Sequence, residues 1–325
     1  MSRPEAAGQP ALGVAGLWLV VPVAVVLAVG AGGPETSVLV LAPLVTYGLP
    51  LVVMVAFWWN GWPGSRLRPG WSGLLDTVLV AAGAFLLTLL GQAAAAGGPD
   101  PSAVFDPTPG PGHVATFPAI MGLGGIAFIV MLQITLVSEK WPLAGLGDFA
   151  GGLAAVALSW VIALALDPLE IDGALLILIG AWQVAVYVAW GGRPIAALEP
   201  AWLRIVAGNA LVLGGGAVTY LIAHELVGAS STAIGAVGGS AIAAGLVVAM
   251  LFEREQSLLA LTLLTAALYL GLEAVAAAVD WVRATPDEWV AHAAMNAIGA
   301  SVILHVAIGQ RWPFAPVTQT STAAG

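Results

Sequence analysis

The side chains best suited to chemistry in this sequence are four histidines, at positions 113, 224, 292 and 305, and the carboxylates near them. Glu288 and His292 stand at i and i+4, on one face of a helix. His224 and Glu225 are adjacent, and His113 follows Asp100 and Asp106 in a Gly- and Pro-rich stretch. Imidazole with carboxylate suits Zn²⁺, Cu²⁺ or Ni²⁺. His113, His224, Glu225, Glu288 and His292 therefore form a candidate set for a divalent metal if the fold brings them to one side. The blander reading is that the wet ends of helices carry polar residues. Cysteine is absent, which excludes disulfides, thiolate catalysis and Cys-ligated metal centres.

A second set lies inside apolar segments. Gln183, Asn209, Glu273 and His305 interrupt hydrophobic runs, as do Gln133, Tyr187 and Tyr220. Polar groups in hydrocarbon are expensive, so they either line a path for a solute or hydrogen-bond between neighbouring helices.

Two motifs resemble known families over a few residues each. The spacing Glu288-x3-His292-x12-His305 is similar to an Asp-x3-His-x12-His ligand set in the C subunit of particulate methane and ammonia monooxygenases. The charged residues of that family are replaced here by Ala293-Ala294-Met295-Asn296-Ala297-Ile298, and residues 13 apart on a straight helix point about 140° from each other. Gly145-Leu146-Gly147-Asp148 resembles the Gly-x-Gly-Asp motif of intramembrane aspartyl proteases, which implies a second aspartate sharing a proton. Asp76 is the partner at the same membrane edge, but no Tyr-Asp precedes it. Asp at a helix start is also a good N-cap, and Gly73-Leu74-Leu75-Asp76 and Gly145-Leu146-Gly147-Asp148 both open apolar segments.

The elements that must position these residues are transmembrane helices. Of the 325 residues, 60% are hydrophobic and 8% charged, against about 25% charged in an ordinary soluble domain. Apolar windows predict helices near 14–31, 37–59, 74–96, 116–137, 145–166, 169–190, 203–226, 231–252, 257–279 and 288–310. Long uninterrupted apolar runs exclude a transmembrane barrel. The expected fold is all-α: a polytopic membrane helix bundle of about ten transmembrane helices, a single domain over residues 14–310 with no soluble domain. Residues 1–13 form a short cytoplasmic N-terminus, residues 97–115 an outer loop without structure of its own, and residues 311–325 a short, disordered cytoplasmic C-terminus.

With ten helices, the connections alternate sides. Arg3, Arg66, Arg68, Lys140, Arg193, Arg204, Arg254 and Arg311 fall on one side and Arg283 alone on the other, so the first side is cytoplasmic and both termini lie inside. Most carboxylates lie outside, which makes the outer face anionic. Trp58, Trp59, Trp62, Trp71, Trp141, Trp190, Trp202 and Trp312 cluster at the cytoplasmic edge as headgroup anchors.

The even-numbered segments end in a shared signature there: Asn60-Gly61-Trp62-Pro63, Glu139-Lys140-Trp141-Pro142, Gly192-Arg193-Pro194 and Gln310-Arg311-Trp312-Pro313, with Glu253-Arg254-Glu255 in the equivalent place without proline. This suggests five tandem helix hairpins of roughly 50 to 80 residues, an internal repeat with all copies in one orientation.

The partner that follows is the lipid bilayer of a bacterial inner membrane, with a membrane-protein partner or a homo-oligomer as further candidates and no nucleic acid. Function is less legible. A channel or transporter of a small solute and a non-catalytic membrane subunit or scaffold are the two main readings. A membrane enzyme or an outer-face metal-binding protein is the third, with no catalytic residue to name and no cofactor beyond the outer divalent metal. A continuous cavity lined by Glu273, Asn209, Gln183 or His305 favours transport; a solid bundle in which these groups pair favours the scaffold.

Overall fold

A computed structural model describes residues 9–30, 32–68, 70–108, 122–254 and 257–314. Among these, every regular element is helical and none is a strand. The helices are α1 (Ala11–Val29), α2 (Pro34–Trp58), α3 (Trp71–Ala94), α4 (Leu123–Val137), α5 (Asp148–Leu169), α6 (Gly173–Ala189), α7 (Ala201–Leu226), α8 (Ser231–Leu251), α9 (Leu258–Ala276) and α10 (Pro286–Ile308). Eight are long and apolar enough to cross a membrane; α4 and α6 are apolar but shorter. The segment expected at 116–137 begins outside the described residues.

Two layers emerge from the burial of these spans. Of α2, α8 and α10, 72%, 72% and 78% is buried, whereas α1, α3 and α5 are each 28% buried, α7 17% and α9 6%. The even-numbered helices run parallel and pack side by side into a closed ring, α2–α4–α6–α8–α10 and back to α2. Each is covered by one odd-numbered helix: α3 lies on α2, α5 on α4, α7 on α6, α9 on α8, and α1 on α10. The outer helices present large apolar side chains, among them Trp18, Val161, Leu263 and Leu270, to their surroundings. A continuous surface of this kind is stable against hydrocarbon and not against water.

Small residues let the helices approach, both between the layers and within the inner ring. An added Cβ on Gly48 of α2 would stand 2.9 Å from Ala84 Cβ of α3, and one on Gly239 of α8 would stand 3.2 Å from the Ala291 carbonyl of α10. Such contacts replace the hydrophobic drive that is missing between helices in lipid.

Five helices end in the same backbone turn. The carbonyls of Met54, Gln133, Ala185, Val247 and Leu304 accept from the N–H five residues ahead. The next carbonyls, those of Val55, Ile134, Val186, Val248 and His305, accept from the N–H six residues ahead, on Gly61, Lys140, Gly192, Arg254 and Arg311. The residue before each of these last donors has positive φ: Asn60 (51°), Glu139 (50°), Gly191 (59°), Glu253 (52°) and Gln310 (51°). The geometry is that of a widened helix terminus closed by a left-handed residue, which satisfies the last carbonyls. All five turns meet at one end of the ring. The turn also closes α7 at the opposite end, where Val227 and Ala229 donate to Ile222 and Ala223 and Gly228 has φ 75°.

Three local expectations are corrected. Trp58 is no headgroup anchor: it is 1% exposed, packed under Gly151 of α5, with Lys140 Nζ 5.1 Å from its ring centroid. Asp76 does not open its helix, because α3 begins at Trp71; its Oδ1 accepts instead from Gly64 N at 2.9 Å, across the turn that follows α2. The described part of the 97–115 connection, residues 97–108, has structure of its own: Ala103–Phe105 is a 3₁₀ turn, Asp100 Oδ1 accepts from Ser102 N at 3.0 Å, and Phe105 stacks on Phe85 of α3.

Candidate functional site

The richest collection of buried polar side chains lies on α10. His292, Asn296, Ser301 and His305 are each at most 3% exposed. A wide π-helical stretch, His292–Gly299, occupies the upper half of this helix, and another, Ser37–Leu41, faces it near the start of α2. Such wide turns inside helices are rare and gather at functional sites.

At this junction the Leu27 carbonyl, at the end of α1, accepts from His292 Nε2 at 2.9 Å and from the Ser37 hydroxyl. Ser37 Oγ and His292 Nε2 are themselves 3.0 Å apart. Trp289 Nε1 donates to the neighbouring Ala28 carbonyl at 2.8 Å. One turn further on, Asn296 Nδ2 donates to Thr46 Oγ1 of α2 at 3.0 Å. His292 is thus tied into the meeting point of α1, α2 and α10.

Near the other end of α10, His305 packs against Gly16 of α1, where an added Cβ would lie 2.8 Å from Nε2. Both histidines therefore look onto α1, contrary to the 140° separation expected of a straight helix. The widened turns between them change the angular step per residue. They meet α1 eleven residues apart, about 16 Å along its axis, too far to share a metal. The resemblance to the monooxygenase ligand set thus ends at spacing.

The outer-face set does not converge. Glu288 turns back to its own helix start, accepting from Thr285 N at 2.8 Å and from Thr285 Oγ1 at 3.0 Å in a capping box. His224 Nε2 and Glu225 Oε1 are 4.0 Å apart at the end of α7, where the His224 ring stacks on Tyr220. His113 lies outside the described residues. Among the described residues, no three His, Asp or Glu side chains group closely enough to hold a metal ion. The aspartyl pair does not form either. Asp148 is 84% exposed beside Lys140, whereas Asp76 is wholly buried and its Oδ2 has no partner.

The residues expected to line a path divide. Gln183 Nε2 donates to Gln133 Oε1 at 2.6 Å, Gln133 Nε2 to Asn209 Oδ1 at 2.8 Å, and Asn209 Nδ2 to the Ile205 carbonyl at 2.8 Å. This chain of amides stitches α6, α4 and α7 together. Glu273 meets Asp287, at the start of α10, and Asp287 also accepts from Thr232 Oγ1 at 2.9 Å. His305 differs, since neither ring nitrogen has a hydrogen-bond partner.

His305 and Ser301 line a crevice of about 270 Å³ between α1, α3 and α10. Ser301 was not singled out from sequence, although its i, i+4 spacing to His305 puts both on one helix face. Ser37 and Thr46, the partners of His292 and Asn296, left no such signal, because their roles come from contacts across helices. Compared with known proteins, the chain matches no family model, no curated protein and no solved structure.

Proposed function

We propose that this chain spans a bacterial inner membrane ten times, as five duplicated hairpins, with both termini in the cytoplasm, and serves there as a non-catalytic membrane subunit or scaffold. The observation that carries the scaffold reading is the amide chain Gln183–Gln133–Asn209. Polar groups that could have lined a path bond instead from helix to helix, and the ring around them is filled by side chains such as Met131, Ile177 and Ile242, each at most 1% exposed. Interhelical hydrogen bonds of this kind hold membrane bundles together. The five like turns, all at one end, support the duplication, and the clustering of Lys140, Arg204, Arg254 and Arg311 at that end supports its cytoplasmic placement. For α6 to span, its helix relies on the turns on either side of it; the stretch that precedes α4 lies outside the described residues.

The test is solute flux. Proteoliposomes challenged with glycerol, urea or erythritol in a stopped-flow light-scattering assay are expected to relax no faster than protein-free vesicles. A rate that climbs with protein content overturns the scaffold reading. It would favour a conduit for a small neutral solute, to which the unpartnered Thr135 Oγ1, Gln183 Oε1 and Asn296 Oδ1 on the inner helices would then belong.

A further inference from the structure

The crevice between α1, α3 and α10 has an apolar mouth and a polar floor. Leu19 and Leu74, 36% and 53% exposed, stand at its rim on α1 and α3. Val23 and Trp312 line it, and at its base are Ser301 and His305 on the inner helix. Ser301 is 2% and His305 3% exposed, yet Ser301 Oγ and both His305 ring nitrogens lack hydrogen-bond partners. Buried polar atoms are almost always paired, so orphans on two neighbouring side chains at the foot of one cavity call for a molecule that hydrogen-bonds to both Ser301 and His305. Leu19 and Leu74 lie on the exposed faces of two outer helices, the faces suited to hydrocarbon, so a molecule dissolved in the membrane meets the cavity there.

The charge of the head group is constrained as well. Arg311, the nearest cation, is already engaged, donating from Nη1 to the Leu251 carbonyl at 3.0 Å and from Nη2 to Glu253 Oε1 at 2.6 Å. A carboxylate or phosphate head would therefore sit buried without a counter-ion, which is unfavourable. A neutral head accepting from the Ser301 O–H and a His305 N–H meets no such cost.

We propose that this crevice binds a lipid-soluble molecule whose neutral head group accepts hydrogen bonds, the chemistry of a quinone ring, with its tail leaving between α1 and α3. The inference stands apart from whether the bundle conducts a solute.

Equilibrium binding of radiolabelled decylubiquinone to the full chain in lipid nanodiscs tests it, with empty nanodiscs as reference. One saturable site per chain is expected, weakened at least tenfold by Ser301→Ala and by His305→Phe, which keeps the ring shape and removes both nitrogens. His305→Gln, which retains a donor and an acceptor, is expected to restore much of the affinity. Should His305→Phe fail to fold, Leu19→Trp at the lipid-facing rim fills the crevice without touching the core and is expected to abolish binding. No saturable binding, or affinity in Ser301→Ala and Leu19→Trp unchanged from that of the unsubstituted chain, overturns the proposal. Decanoate competing as well as the quinone overturns the neutral-head assignment.

Discussion

A residue in the left-handed region is ordinarily glycine or asparagine, yet Glu139, Glu253 and Gln310 hold it at three of the five shared turns. For the two glutamates the strain is offset by charge. Glu139 receives Arg204 in two parallel bonds of 2.8 and 3.0 Å, and Glu253 receives Arg311. Gln310 has only a 3.4 Å contact to Ser72. Gln310→Gly is therefore expected to stabilise the protein by about 1 kcal/mol, whereas Glu139→Gly, which trades strain relief for a lost ion pair, should change stability little. Apparent melting temperatures in detergent check both, and a drop for Gln310→Gly would sink the argument. Asp172 supplies the pH dependence. Burial pushes its carboxyl up, but hydrogen bonds from Ser231, Tyr220 and Ala174 outweigh this, with help from His224, and hold it below the ordinary carboxylate value. A carboxyl depressed in the fold contributes stability above its unfolded pKa, and that contribution is lost as pH falls through the folded value. Melting temperature should accordingly be level near neutrality and decline below about pH 4. In Asp172→Asn the plateau is expected to be lower and the decline shallower; an unchanged profile would remove Asp172 from the account.

Between elements, the same turn position does a second job. Lys140, in the turn after α4, donates from Nζ to the Trp58 carbonyl of α2 at 3.2 Å. Arg311, in the turn after α10, donates to the Leu251 carbonyl of α8, which holds the place in its helix that Trp58 holds in α2. A cation from one hairpin thus caps the carbonyl end of the preceding inner helix, where the helix dipole also favours positive charge. Arg311→Ala should cost about 2–3 kcal/mol and Lys140→Ala about 1 kcal/mol, measurable by SDS titration; equal costs would undercut the distinction. Helix existence was legible in the sequence because apolar length is written there directly, and the stop marks were legible because proline, tryptophan and cation recur at one spacing. Which helix lies inside was not, since lipid and protein interior are equally apolar and a span shows no polar face to betray its position. The glycines illustrate this. Gly215 of α7 meets Trp182 and Gly238 of α8 meets Ile177, both on α6, and nothing in the run of small residues around either names that partner helix. Nor could spacing on a straight helix foresee the wide turns that rotate His292 and His305 onto α1.

For the whole molecule, the absence of cysteine makes topology directly testable, because any introduced thiol is unique. Ser65→Cys, in the exposed turn after α2, is expected to react with a membrane-impermeant maleimide only after cells are permeabilised. Val282→Cys, at a position 83% exposed between α9 and α10, should react on intact cells. Labelling of both from one side would break the ten-span reading. The pairing of α1 with α10 also bears on how the molecule is made. Four of the five outer–inner pairs, α2 with α3, α4 with α5, α6 with α7 and α8 with α9, are neighbours in the chain. The fifth joins a helix synthesised early to the helix synthesised last of the ten. Until α10 is made, the face of α1 that meets His292 and His305 and the flank of α2 lack their partner. Ring closure is then a single late event, a clasp whose hook is made first and whose eye is made last, and a chain halted before α10 would leave both edges exposed to any machinery that inspects unfinished membrane proteins.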